Sequence, residues 1–375
     1  MTQPAAIPDL GRRHANVALL RVLDGMTYAS AIGGALIMLA LLLMLLAIIA
    51  HGALPAYQRF GLSFITSTDW NPHPPHPDDM PAPPQVFGAR TAIMGTLLTS
   101  IIALIISFPV SLGSAVFLTK LAPKIRIMVP TMNAQGGPRF KSISLRHGVT
   151  IASFMIELLA AIPSIAYGLW GVAVLVPFMQ KTQPAISHSI GTLPIIGQFF
   201  QNYGYGTNIF TAGVILSIMV MPIMTAIIRD VLAVAPPELE QGALGLGATW
   251  WQSTRLVLGF SKMGILGAVI LGFARAIGET MAVTMVIGND PSPDNSLFAS
   301  GQSIASLLAV QFRNADTEGE IQALVYAAFM LLVITTLING IARVMIMRVA
   351  SRKPIAMRDR KGLALRIMTL TGMKG

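Results

Sequence analysis

Six stretches of this chain run apolar for twenty residues or more: 28–50, 93–117, 149–178, 209–228, 264–287 and 323–347. Between them lie polar connections that hold nearly all the charge. A hydrocarbon core of about 30 Å needs about 20 apolar residues as helix, so the pattern predicts six transmembrane helices in an all-α membrane protein. Composition agrees: the chain is 54% hydrophobic and 11% charged, against about 25% charged in ordinary soluble domains. Residues 1–27 are polar and basic, and the apolar run that follows exceeds the about 7–15 residues of a signal peptide's core. For the same reason Arg12-Arg13 is a weak export signal. The absence of cysteine excludes disulfides and thiolate metal sites.

Charge placement predicts orientation. Arg12, Arg13 and Arg21 precede the first stretch, and Lys120, Lys124, Arg126, Arg139, Lys141 and Arg146 occupy the second connection. Arg229, Arg255 and Lys262 lie in the fourth, and nine more bases follow from Arg343. The alternate connections hold only Arg59, Arg90, Lys181 and Arg313. By the positive-inside rule both termini and the second and fourth connections of this multi-pass chain face the cytoplasm. Topology thus accounts for the net charge of +10 without a nucleic-acid partner. The outer side carries Asp69, Asp78, Asp79, Asp290, Asp294, Asp316, Glu318 and Glu320. That face repels anions, so an anionic cargo must be delivered to it.

The connections differ in character. The outer loop 51–90 holds a proline tract over 71–84, which enforces extended backbone. His73 and His76 with Asp78 and Asp79 invite a metal reading, but proline-spaced ligands define no coordination geometry, and a solvated loop is the reading taken. The basic segment 120–148, with Gln135-Gly-Gly-Pro138 at its middle, reads as a flexible cytoplasmic insertion able to touch anionic lipid. Residues 1–27 and 348–375 read as a cytoplasmic segment and a basic cytoplasmic tail flanking a six-helix transmembrane domain over 28–347.

Two charges interrupt the fifth stretch: Arg275 and Glu279, four residues apart. A central Arg costs about 2.5–3.5 kcal/mol even on a lenient insertion scale, so such a pair marks a functional site. Gly264, Ala268, Gly272, Ala276 and Thr280 recur every four residues as a ridge for close helix packing. On one continuous helix Arg275 and Glu279 flank that ridge and can neutralise each other, while a guanidinium fork also fits an oxyanion. The expectation is that Arg275 binds the anion transiently and Glu279 competes for it, with a permanent structural ion pair as the alternative. Glu157, in the third stretch, either pairs with Arg275 or another base in the partner half or snorkels to the inner interface. Pro109, Pro163 and Pro222 are candidate kinks.

The fourth connection, 229–262, is the most patterned. Pro236 and Pro237 suit a first helical turn, and Glu238 and Glu240 suit the positive end of its dipole. Gly245 and Gly247 break it, and Thr249 with Gln252 has capping-box spacing for a second short helix. Physically this is either a rigid cytoplasmic knob or an interfacial helix anchored by Trp250 and Trp251. The segment resembles the cytoplasmic coupling loop of ABC-importer permeases. That family's Glu-Ala-Ala, three residues and Gly stand here as Gln241-Gly242-Ala243 and Gly247, and its following Leu-Pro as Leu258-Gly259-Phe260.

The neighbouring segments narrow the resemblance. Residues 275–289 closely resemble the signature of the PstC-type permease subunit of phosphate importers, and so do 157–171, 87–100 and 296–306. The related PstA type shares the arginine and Gly-Glu-Thr but usually continues differently from Met281-Ala-Val-Thr-Met285. The resemblance covers about 60–350 and implies the type I ABC importer permease fold. It implies pairing with a PstA-like permease, two PstB-type ATPase subunits and a periplasmic phosphate-binding protein. ATP and Mg2+ would belong to the ATPase. By position, Glu238, Gln241, Gly242, Ala243, Gly247, Thr249 and Trp251 would contact it. The chain itself lacks the Gly-x-x-x-x-Gly-Lys-Ser/Thr phosphate loop and is expected to be no enzyme. A permease for sulfate or molybdate, and a membrane scaffold or signalling subunit reporting phosphate status, are the alternatives.

Overall fold

The computed structural model describes residues 10–71, 86–124, 126–132, 138–144, 146–194, 197–201, 204–291 and 296–350. Most of the proline tract, including His73, His76, Asp78 and Asp79, lies outside these residues, as do residues 1–9 and the basic tail from 351.

The first apolar stretch forms part of α1 (Leu10–Phe60), 51 residues long. At 1.5 Å per residue it is about 76 Å long, well over twice the hydrocarbon thickness. Gly61, at φ +56°, ends it. Short α2 (Ser63–Thr66) follows, and then β1 (Trp70–Asn71), which pairs antiparallel with β2 (Val86–Phe87). The second stretch is α3 (Arg90–Val116), which passes into a π turn over Phe117–Leu121 and a 3-10 turn over Ala122–Lys124. The segment read as a flexible insertion contains a hairpin, β3 (Arg126–Met132) against β4 (Pro138–Ser144), with Val129 opposite Lys141.

The third stretch is not one straight helix. α4 (Arg146–Ala160) stops, and the chain turns through 90° before α5 (Ser164–Trp170), a π segment over Gly171–Leu175, and α6 (Val176–Ile190). Pro163 causes the turn. It donates no N–H and itself leaves the helical region, at φ −57° and ψ 137°, and the Leu159 carbonyl accepts the Tyr167 hydroxyl at 2.7 Å. α7 (Ile209–Ala233) starts on an Asn208 cap whose side chain accepts from Thr211 N at 2.8 Å. It leads to α8 (Pro237–Gly245) and α9 (Trp250–Ile277). The chain ends in α10 (Met281–Val286), α11 (Ile304–Gln311) and α12 (Glu318–Ala350). Among the described residues five helices are long and apolar enough to cross a membrane, or six when the bent pair is one span.

α7 is the hub. Of its apolar window 67% is buried within the chain, against 28% for α3 and 0% for α1, so α1 is peripheral and α7 central. The main core gathers Ile215, Leu216, Met224 and Ile228 of α7 with Ala103 of α3, Val257 and Ala268 of α9, and Val283 and Val286 of α10. A second core holds the far end of α1 to α12. There Ala53 and Ala56 meet Ala323 and Ala327, and Phe64 stacks on Tyr326 with ring centroids 4.7 Å apart. At the same end Phe298 packs between Phe200 and Phe210. Ser303 and Ser306 cap α11 reciprocally.

Candidate transport site and coupling loop

The fifth apolar stretch departs most from its reading. α9 begins at Trp250 and ends at Ile277; Gly278, Glu279 and Thr280 interrupt the chain before six-residue α10. Gly278 N donates to the Ala274 carbonyl at 3.3 Å and closes α9. Arg275 therefore sits in the last turn of α9 and Glu279 in the break, not one turn along a continuous helix. No ion pair joins them among the described residues. Glu279 is half-buried, and its Oε1 accepts from Ala282 N at 3.4 Å at the start of α10.

The small-residue ridge explains where Arg275 goes. Ala268 and Ala276 are buried, and a Cβ added at Gly272 would lie 2.6 Å from Met224 Cε; one at Gly264 would lie 2.7 Å from Val231 Cγ2. That ridge lies against α7. Arg275, one residue before Ala276, is exposed beside it. The α10 side of the break is held by α5, where a Cβ at Gly168 would meet Met285 Sδ at 2.7 Å and Ala282 Cα at 3.2 Å. The arrangement presents a guanidinium on the open face of a broken helix, with a carboxylate four residues on. Such a fork can hold a tetrahedral oxyanion with two donors.

Glu157 lies elsewhere. It is on α4, before the 90° turn, and its Oε1 accepts from Arg229 Nη2 at 2.9 Å, with its side chain 52% exposed. Arg229 also donates to its neighbour Asp230 at 2.8 Å. The structure thus pairs Glu157 with a base near the end of α7 in its own chain, and does not bring it to Arg275.

The segment between α7 and α9 forms a compact knob. Pro237 opens α8 with Glu238 and Glu240 in its first turn. Gly247, at φ +83°, makes the corner, a conformation that other residues rarely adopt. Thr249 caps α9 reciprocally with Gln252: Thr249 N donates to Oε1 at 2.8 Å, and Gln252 N to Oγ1 at 3.3 Å. The helix so started is not short. It runs 28 residues without interruption to Ile277. Glu238, Gln241, Gly242, Gly247, Thr249 and Trp251 are exposed on the knob, with Ala243 half-buried. Leu246 is 91% exposed, far more than a side chain used only to pack its own chain.

Three features escaped the sequence reading. Lys120 Nζ lies 2.7 Å from Glu240 Oε2, joining residues 120 positions apart. Arg229 gathers Glu157 and Asp230. Gly288 and Asn289 are successive left-handed residues, at φ +99° and +58°. Only the last had a local signal, a Gly-Asn pair following an apolar run.

These observations define a class: a membrane-embedded permease component with a broken, charge-bearing span and an exposed knob between spans. The family model for the inner membrane component of binding-protein-dependent transport systems matches residues 147–351, and the fold class is that of the type I ABC importer permeases. The phosphate transport system permease protein PstC of Haemophilus influenzae is 39% identical over 323 residues, covering 85% of this chain and 91% of its own. The PstC of Mesorhizobium japonicum is 37% identical over 342 residues, covering 91% and 95%. The chain belongs to the PstC family of ABC-transporter permeases. Among solved structures, the inward-facing MetNI methionine ABC transporter in its CY5 native crystal form aligns with 69% of this chain and 94% of its own, at 16% identity and TM-score 0.47.

Proposed function

We propose that this chain is one permease half of an ATP-driven importer that moves inorganic phosphate across the bacterial inner membrane by alternating access. The observation that carries the reading is the course of α9, one 28-residue helix from the capped corner of the knob to Arg275. At 1.5 Å per residue it is about 42 Å long, so a displacement of the knob is delivered directly to the charged break. Support for phosphate comes from the names of the relatives, from the guanidinium exposed at the break, and from the acidic residues of the connections opposite the knob, which favour a carrier over direct capture of the anion.

In this reading a periplasmic phosphate-binding protein delivers the anion, a PstA-like permease supplies the other wall of the pathway, and two PstB-type ATPase subunits bind ATP and Mg2+. Both termini and the knob face the cytoplasm, the side on which the bases accumulate. Closure of the ATPase pair pushes α8, and α9 carries the push to the break. Cells deprived of this chain are expected to lose high-affinity uptake of radiolabelled phosphate and regain it with a plasmid copy; undiminished uptake would refute the reading.

The knob gives a sharper check of the ATPase contact. A Cβ at Gly242 would meet nothing within 4 Å, so the chain itself tolerates a side chain there. Gly242→Leu is expected to leave thermal stability within about 0.5 kcal/mol of the parent, as for a surface substitution, but to abolish co-purification of the ATPase. Retained co-purification would place the contact elsewhere.

A further inference from the structure

The knob is held to the membrane helices at a second point besides its chain connection to α9. Glu240, in the first turn of α8, is tied to two other helices: its backbone carbonyl accepts from Ser253 Oγ on α9 at 3.3 Å, and its carboxylate pairs with Lys120 Nζ at 2.7 Å. The two charged side chains are only 13% and 19% exposed, so salt screens this pair less than a surface one.

Lys120 is placed with equal care. It stands on the π turn over Phe117–Leu121, where α3 widens by one residue, a local device found mostly at functional sites. Leu118 of that turn is buried, Ala115 just before it is fully buried, and Thr119 Oγ1 donates back to the Ala115 carbonyl at 2.8 Å. The turn is therefore anchored. From it α3 runs alongside α7, where Ser111 Oγ donates to the Met221 carbonyl at 3.1 Å. Its other end abuts Gln302 and donor-pairs with α11 through Ile304 N and Thr96 Oγ1 at 2.9 Å.

We propose that the Lys120–Glu240 ion pair is a strut that makes α3 move with the coupling knob, so that ATPase closure is transmitted through α3 and α9 together. This rests on the reading of α8 as the ATPase contact. Without the strut, the knob would drive α9 alone, and α3, clasped to the opposite end of the protein, would lag. Both residues are positioning residues: neither needs to touch phosphate or ATP.

The test uses the complete complex reconstituted in vesicles. Lys120→Met and Glu240→Gln are expected to retain the ATPase on co-purification and to hydrolyse ATP, while phosphate taken up per ATP falls about tenfold, a typical coupling magnitude. The double variant is expected to be no worse than either single one, because the two losses are the same loss, and Lys120→Arg is expected to transport normally. The chain has no cysteine, so spin labels at Phe117→Cys and Leu244→Cys, both exposed positions, report the α3–α8 distance directly. A narrow distribution in the parent is expected to broaden in Lys120→Met. Normal uptake per ATP, additive losses, or an unchanged distance distribution would each overturn the strut. If the parent carries a solute other than phosphate, the same variants are read on that solute and on the label distance, so the strut fails or stands separately from the phosphate reading.

Discussion

Arg275→Gln is expected to lower phosphate uptake by about two orders of magnitude in a complex that still assembles. Arg275 is exposed in the last turn of α9, while its neighbours Ala276 and Ile277 carry the packing against the rest of the chain. Losing the guanidinium therefore removes little that holds the fold. What it removes is a charged donor fork for an anion, and a hydrogen bond to a charged group contributes about 1.5–3 kcal/mol; at 3 kcal/mol that is about 150-fold. Uptake of labelled phosphate, normalised to complex recovered with its partners, is the measurement. Unchanged uptake would take Arg275 off the pathway. Glu279→Gln is expected to act less, since Glu279 is not paired with Arg275 in the described conformation. The idea that the two carboxylate and guanidinium groups neutralise one another along a helix does not survive the break at Gly278. Competition between Glu279 and the anion now requires the break to change shape during transport.

Gly95→Ala is expected to leave little folded protein. A Cβ there would overlap the Gln302 carbonyl oxygen and lie 2.9 Å from its carbon. The obstacle is backbone on both sides, so no rotamer relieves it. Gly95 lies on a stretch of α3 whose Thr96, Thr99 and Ser100 are buried, and Thr96 Oγ1 accepts from Ile304 N one residue away. Separating the two backbones breaks that bond as well. Overpacking usually costs about 1–3 kcal/mol, and values above about 4 kcal/mol accompany compound defects of this kind. The yield of monodisperse protein after extraction, and its thermal midpoint, are the checks. A midpoint equal to the parent's would mean that α3 and the segment before α11 are not in contact as described.

Much of this architecture was legible before the structure, for identifiable reasons. The stretches 28–50, 209–228 and 323–347 fall within α1, α7 and α12, and 93–117 within α3 and the first residue of its π turn, because each is a single apolar run of spanning length. The Pro237 start, the Gly247 corner and the Thr249–Gln252 cap are local chemistry, readable from adjacent residues. The ridge on α9 is a periodicity, and it packs as periodicity implies. Hydropathy, by contrast, is blind to direction. Residues 149–178 are apolar on both sides of Pro163, so the run reads as one span while the backbone turns through 90°. The same blindness hid the break after Ile277, because apolar residues resume at Met281. The partner of Glu157 was hidden for another reason: Arg229 lies 72 positions further along the chain. The Lys120–Glu240 contact is non-local, and nothing near either residue announces it.

For transport the two halves of the site divide their work. In the proposed cycle the guanidinium at the break supplies the charge an oxyanion needs, and the uninterrupted α9 ties that charge to the knob. Purified complex in vesicles, with ATP inside and the binding protein outside, tests the central claim most directly through accumulation of labelled phosphate against an excess of unlabelled phosphate or sulfate. ATP-dependent accumulation that unlabelled phosphate suppresses and sulfate leaves intact is the expected result. Accumulation suppressed equally by sulfate, or none in a fully assembled complex, would contradict it.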